Sequence, residues 1–167
     1  YLQEKKDKRP LFLCEYSHSM GLSPGDLKLY WDTIYAYDNF MGGCVWEWRD
    51  HGVRKTDDQG REYYVYGGYF GDWLNDGNFC CDGLTYPDQK PHTGLLELKK
   101  VIQPVFIEAV DLKRGKVRIT NRYDFISLEH LEIRYKVMAD GITVFSGQMQ
   151  IDLPARESGI FTLDYAI

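Results

Sequence analysis

Apolar and polar positions obey two different rules along this chain, and the rule changes near residue 104. In the first part, Leu11-Phe12-Leu13-Cys14 is an apolar run that begins after Pro10 and stops at Glu15, as expected of a short strand buried on both faces. Ser23-Pro24-Gly25-Asp26 predicts a helix start, with Ser23 at the N-cap, Pro24 in the first helical position and Asp26 near the positive end. Leu27, Tyr30, Trp31, Ile34 and Tyr37 follow at helical spacing, which places Trp31 in the core, and Asp38-Asn39 ends the run. Phe40–Trp48 reads as a second buried strand, in which Gly42-Gly43 allows a bulge or a close backbone approach. Residues 49–79 read as one long aromatic loop, and a loop of that length is expected to be functional. After Pro91, Leu95, Leu98 and Ile102 predict a second helix that Pro104 stops.

From Val105 the period becomes two. Val117, Ile119, Leu131, Ile133, Tyr135 and Val137 alternate with Arg118, Thr120, Glu132, Arg134 and Lys136, and Asp140-Gly141 is a hairpin signal. Phe161, Leu163 and Tyr165 mark a further strand, giving about five, as in a β-sandwich. The expected organisation is therefore an α/β part over residues 1–103 and an all-β sandwich, truncated or whole, over 104–167. Two strand–helix units cannot close a parallel sheet. Together with Tyr1 in place of a methionine, this leads to the expectation that the chain is a piece of something longer.

Composition narrows the function classes. Net charge is −5, and the densest basic stretch, Lys5–Arg9, contains an aspartate, so no nucleic-acid footprint is expected. No apolar run is long enough to span a membrane and no signal-peptide pattern is seen, which leads to a cytoplasmic expectation. Cys14 and Cys44 lie in apolar runs and read as small core hydrophobes. Cys80-Cys81 has no second pair to complete a zinc site, so all four cysteines are expected to be reduced. Aromatics make up 15% of the residues, enough for a large core or for a surface that stacks on sugar.

The chemistry concentrates at Glu15. Leu11, Leu13 and Glu15 share one face of a strand, so a parallel barrel would present a carboxylate at the rim, where reactive groups sit. The stretch LFLCEYSHSMG resembles the nucleophile segment of the bacterial β-galactosidases of glycoside hydrolase family two. So do YWDTIYAYDNFMGGCVWEWRDHG and YGGYFGDWLNDGNFCCDGLTYPDQKPH, in the same order. The resemblance is dense from Arg9 to Ile102 and weaker beyond Pro104. It implies the last strands and helices of a TIM-type (β/α)8 barrel followed by an immunoglobulin-like domain.

The resemblance also implies roles. Glu15 falls on the nucleophile that forms a covalent glycosyl-enzyme, and His18 on a histidine that contacts the sugar. Trp46 falls on the floor beneath the sugar. Phe79 and Asp82 fall beside a sodium ion and the sugar's primary hydroxyl. With His18, Tyr16 is expected to donate to the nucleophile and so belong to the substrate shell. Two positions depart from the family pattern: Leu22 and Asp82 stand where asparagines are usual. The family's acid/base glutamate and its magnesium ligands lie upstream of this chain. Glu47, expected to point away from Trp46, and Glu62, in a polar turn, are poor substitutes, so the isolated chain is expected to be inactive.

The implied partners are a galactoside substrate, the remainder of the barrel and further copies in a homo-oligomer. A β-glucuronide or β-mannoside specificity is the nearer alternative, with Arg49 and Arg54 the basic residues to examine. A non-catalytic carbohydrate-binding module is the more distant one. His51 and His92 read as surface or capping residues, His130 as the polar face of a sandwich strand, and Trp73 as either core or sugar contact.

Overall fold

The computed structural model describes residues 9–165, so Tyr1 and most of the Lys5–Arg9 stretch lie outside the described residues. These fall into two compact units divided between Ile102 and Gln103.

In the first unit β1 (Leu11–Tyr16) and β2 (Phe40–Val45) pair in parallel across α1 (Leu27–Ala36). The α1 face follows its spacing in part: Leu27 and Ile34 are buried, Trp31 is half-buried rather than core, and Tyr30 is exposed. Each fully buried aliphatic side chain contributes about 2 kcal/mol. The helix start differs from expectation. Its N-cap is Asp26, in the left-handed region at φ 55° and without a side-chain cap bond. Ser23 and Pro24 belong to the preceding loop, which is held by packing: a Cβ on Gly94 would lie 2.3 Å from Pro24 Cδ. That contact ties the loop to the first turn of α2 (Thr93–Val101).

The Gly42-Gly43 expectation holds in both forms. Register shifts between Leu11 and Phe12, and a Cβ on Gly43 would come within 2.8 Å of the Leu13 side chain and carbonyl. A second shift lies between Leu13 and Tyr16, beside Glu15. Bulges of this kind re-aim side chains at strand ends.

Three sequence expectations fail here. β2 stops at Val45 rather than Trp48, because residues 46–48 turn to bond the segment around Asp82. The long loop contains an antiparallel hairpin, β3 (Val53–Thr56) with β4 (Glu62–Val65), whose turn is closed by Asp57 accepting from Gln59 and Arg61. Cys14 and Cys44 are exposed rather than buried, as are Phe12, Met41 and Trp48. A two-stranded sheet flanked by one helix has only part of its surface covered, and Phe12, Cys14, Met41 and Cys44 sit on the uncovered part.

The second unit is all-β. One sheet orders β5 (Val105–Asp111), β6 (Lys116–Asn121) and β9 (Ser158–Thr162), all antiparallel. The other pairs β7 (Glu132–Ala139) with β8 (Ile142–Gln150). Asp140 and Gly141 form the two-residue β7–β8 turn, both with positive φ, as the sequence predicts. Val117, Ile119, Leu128, Ile151 and Leu153 make the buried core, with Ile133, Met149, Phe161 and Leu163 packed against it. His130 lies in the turn before β7, where its ring bonds the Ser127 carbonyl, and not on a strand face.

At the edge of this core Asn121 is fully buried. Its amide donates to the carbonyls of Ile126, Leu153 and Pro154 at 2.9, 2.9 and 3.0 Å, and its Oδ1 accepts from the Tyr123 N–H at 2.9 Å. Every polar atom of the side chain is satisfied, as burial demands.

Candidate active site

Three segments far apart in sequence are stitched together by main-chain bonds. Trp46 N–H donates to the Tyr16 carbonyl at 3.3 Å, and Ser19 N–H donates to the Trp46 carbonyl at 2.7 Å. Glu47 N–H donates to the Asp82 carbonyl at 2.8 Å, which also accepts from Ser19 Oγ at 2.7 Å. The end of β1, the end of β2 and the segment around Asp82 thereby form one scaffold.

Asp82 is its centre and is 2% exposed. Trp46 Nε1 donates to its Oδ2 at 3.3 Å, and His18 Nε2 lies 3.4 Å from the same oxygen. The His18 ring faces the ring of Phe79, 5.7 Å between centroids. His18, Trp46, Phe79 and Asp82, four residues singled out in the sequence, therefore meet. The other Asp82 oxygen, Oδ1, is buried and accepts no hydrogen bond from the described residues. The Glu47 carboxyl also addresses Asp82, and offers it a donor only when protonated. Glu47 is accordingly held above the usual carboxylate range, chiefly by burial and next by its hydrogen bond to Asp82, while His51 at 3.1 Å pulls the other way. Glu47 was expected on the side away from Trp46. Because the strand has already ended, alternation does not apply, and both residues reach Asp82.

Glu15 sits at the β1 bulge with its side chain exposed, one turn of chain before His18. Among the described residues no hydrogen bond or ion pair is shown to its carboxylate. The two expected donors are engaged elsewhere. His18 turns to Asp82, and the Tyr16 hydroxyl, buried beneath α1, accepts from Trp31 Nε1 at 2.9 Å. Burial pushes the Tyr16 hydroxyl above its usual range and its ring packs on Tyr30, so Tyr16 holds β1 against the helix. Leu22 is fully exposed and Trp73 nearly so.

Sequence reasoning missed the layer behind this site. Asp50, 7% exposed, accepts from the Gly83 N–H at 2.8 Å and from His92 Nε2 at 3.0 Å, and the His92 ring stacks on Tyr86 at 3.7 Å. A Cβ on Gly83 would fall 2.2 Å from the Asp50 nitrogen, so only glycine lets the two segments touch. No local pattern joins residues 50, 83 and 92. The D-G after Cys81 was the one available signal.

Glu62 pairs with Arg54 at 3.4 Å on the exposed hairpin. Arg49, His51 and Arg54 line a cavity of about 500 Å³ together with Tyr64 and Pro87. Burial, then the neighbouring Cys80 and Asp50, pushes the Cys81 thiol up to about 11. Among the described residues no helix is long and apolar enough to cross a membrane, and all four cysteines are free.

An aromatic wall, a buried carboxylate with a spare oxygen and a strand-end glutamate suit a polyhydroxylated ligand with an apolar face. Comparison with known proteins places the chain in a family. Residues 1–107 match the family described as glycosyl hydrolases family 2, TIM barrel domain, and residues 117–167 match beta-galactosidase, domain 4. The beta-galactosidase of Psychromonas ingrahamii is 39% identical over 98% of this chain, and that of Vibrio cholerae is 41% identical over 96%. The beta-galactosidase of Staphylococcus xylosus is 43% identical over 77%. The chain spans only 16%, 15% and 13% of the length of these three relatives. This chain belongs to glycosyl hydrolase family 2, covering the C-terminal region of the TIM barrel domain and the beta-galactosidase domain that follows it.

Proposed function

We propose that this chain is the nucleophile-bearing part of a retaining β-galactosidase, with residues 1–103 completing a (β/α)8 barrel and 104–167 forming an immunoglobulin-like support domain. The observation that carries the reading is the buried Asp82 carboxylate gripped by Trp46 and His18, beside Phe79. Trp46 presents its face to the C–H side of the galactosyl ring, and Asp82, with His18, accepts and donates to its hydroxyls. Glu15 attacks the anomeric carbon, and the aglycone oxygen leaves with a proton from an acid/base glutamate supplied upstream. Water then releases the sugar with that same group acting as base. The two carboxyls of such a pair stand roughly 5–5.5 Å apart.

The buried, unpaired Asp82 Oδ1 fits a hard cation such as sodium, which is bound by oxygen. Asp82 would hold it, with Phe79 alongside, and the ion when bound would neutralise the carboxylate and orient a sugar hydroxyl. Magnesium, in this reading, is held by upstream residues. The uncovered β1–β2 surface, with Phe12 and Met41 exposed, is where the remainder of the barrel docks. The free cysteines favour the cytoplasm, and assembly as a homo-oligomer is part of the same proposal.

A second reading keeps the family and changes the sugar to a β-glucuronide. It is favoured only by the shared cavity of Arg49 and Arg54.

The test is to treat the full-length protein with a 2-deoxy-2-fluoro-β-galactoside bearing a good leaving group and map the label by mass spectrometry. A fluoro-sugar ester on Glu15 is expected. Labelling of another residue would remove Glu15 from the mechanism, and labelling only by the glucuronide analogue would replace the sugar. The isolated 167-residue chain is expected to hydrolyse nothing.

A further inference from the structure

Between Phe79 and Asp82 stand two adjacent thiols that no step of glycoside hydrolysis uses. Cys80 and Cys81 are both free and part-buried. They are neighbours in the chain, and the Cys80 Sγ faces the Gly77 carbonyl at 3.9 Å. The backbone beneath them is fixed. Phe79 N–H donates to the Asp76 carbonyl at 3.1 Å, Cys81 N–H to the Asn78 carbonyl at 2.9 Å, and His51 N–H to the Cys80 carbonyl at 2.8 Å. Two thiols are thus carried on adjacent residues of a bonded backbone, which lowers the ordering cost of binding both at once. Among the described residues no group of three His, Cys, Asp or Glu side chains can hold a metal ion. The pair therefore lacks the third and fourth ligands that zinc requires. It suits a soft centre that is satisfied by two thiolates.

We propose that Cys80 and Cys81 form a bidentate capture site for trivalent arsenicals. With an organoarsenic(III) oxide, two As–S bonds form and two S–H bonds break. The two protons leave with the oxide oxygen as one water molecule, and arsenic stays trivalent, so no oxidant or reductant takes part. The ring closes on the two residues directly between Phe79 and Asp82, and so alters the wall of the site. The capture chemistry does not depend on the galactosidase reading, because it is read by mass and not by turnover.

The experiment treats the folded full-length protein with phenylarsine oxide, followed by intact mass and peptide mapping. One phenylarsenic group is expected on the peptide holding Cys80 and Cys81, retained in excess monothiol and released by a 1,2-dithiol. Cys80→Ser and Cys81→Ser should each lower the monothiol concentration needed for release by about a hundredfold, the chelate effect of losing one of two linked bonds. Cys14→Ser should leave it unchanged. If the folded wild-type protein takes no label on that peptide, or releases it to monothiol as readily as to dithiol, the proposal fails. That wild-type result decides the matter even where a serine variant does not fold.

Discussion

Asn121 and Asp82 are both nearly inaccessible polar side chains, and they treat their polar atoms in opposite ways. Asn121, in the all-β unit, uses each of its donors and its acceptor on nearby backbone, so the side chain closes on the protein. Asp82, in the α/β unit, leaves one buried oxygen without a partner and shares the other between two residues. A buried unpaired acceptor costs about 1–3 kcal/mol. The first arrangement stabilises a fold, and the second holds binding capacity in reserve at the expense of stability. On the proposed function, the difference separates a support unit from a unit built around a ligand, although the two share one chain and similar burial.

That contrast predicts which substitutions uncouple stability from activity in the full-length protein. The largest effect belongs to Glu15→Gln, which should lower galactoside turnover by more than about a thousandfold while leaving the unfolding midpoint in urea unchanged. Retained turnover would take Glu15 out of the chemistry. Next comes Asn121→Ala, which strands the Ile126 carbonyl and the Tyr123 N–H, takes one of two donors from the Leu153 and Pro154 carbonyls, and should destabilise by about 3 kcal/mol. The kcat/KM per folded molecule should stay at the wild-type value, and a fall in it would break the division of labour.

Asp82→Asn is smaller and opposite in kind. It removes a buried charge that His18 and Trp46 both address, so KM should rise about tenfold, with stability equal to or above wild type in urea titration. Sodium dependence of KM, if present in the wild type, should weaken with it.

The smallest effect is a pH slope from Glu47. The fold favours its protonated form, so the folded protein keeps a proton that the unfolded chain releases near its ordinary value of 4.5. Stability therefore falls as pH rises from there until Glu47 ionises in the folded protein as well. Glu47→Gln should flatten that part of the urea-midpoint profile, and an unchanged profile would show that Glu47 does not carry it.

The sequence was most readable where short-range chemistry decides. The α1 face, the Asp140-Gly141 turn and the alternation through β6 and β7 depend on spacing or on backbone preference alone, and each appears in the structure. Reading failed where distant segments compete for the chain. Ser23 and Pro24 look like a helix start, but packing on Gly94 keeps them in a loop. Trp46-Glu47-Trp48 looks like a continuing strand, but bonds to residues 82–85 turn it away. The β3–β4 hairpin has four-residue strands rich in charge, too short to show a period. Among site residues, His18, Trp46, Phe79 and Asp82 were found through family likeness and meet in space. Asp50 and His92, 42 positions apart, gave no sign of their bond until the chain was folded.

The contact between Gly94 and Pro24 has a historical consequence. A side chain at position 94 has nowhere to go while Pro24 stands opposite, so neither residue is free to drift alone. Lineages that replace the glycine should be those that have already shed the proline or shortened the loop before α1. The two sites, 70 positions apart, ought then to change in step across descendants, and a large collection of related sequences should carry that shared history as a paired substitution.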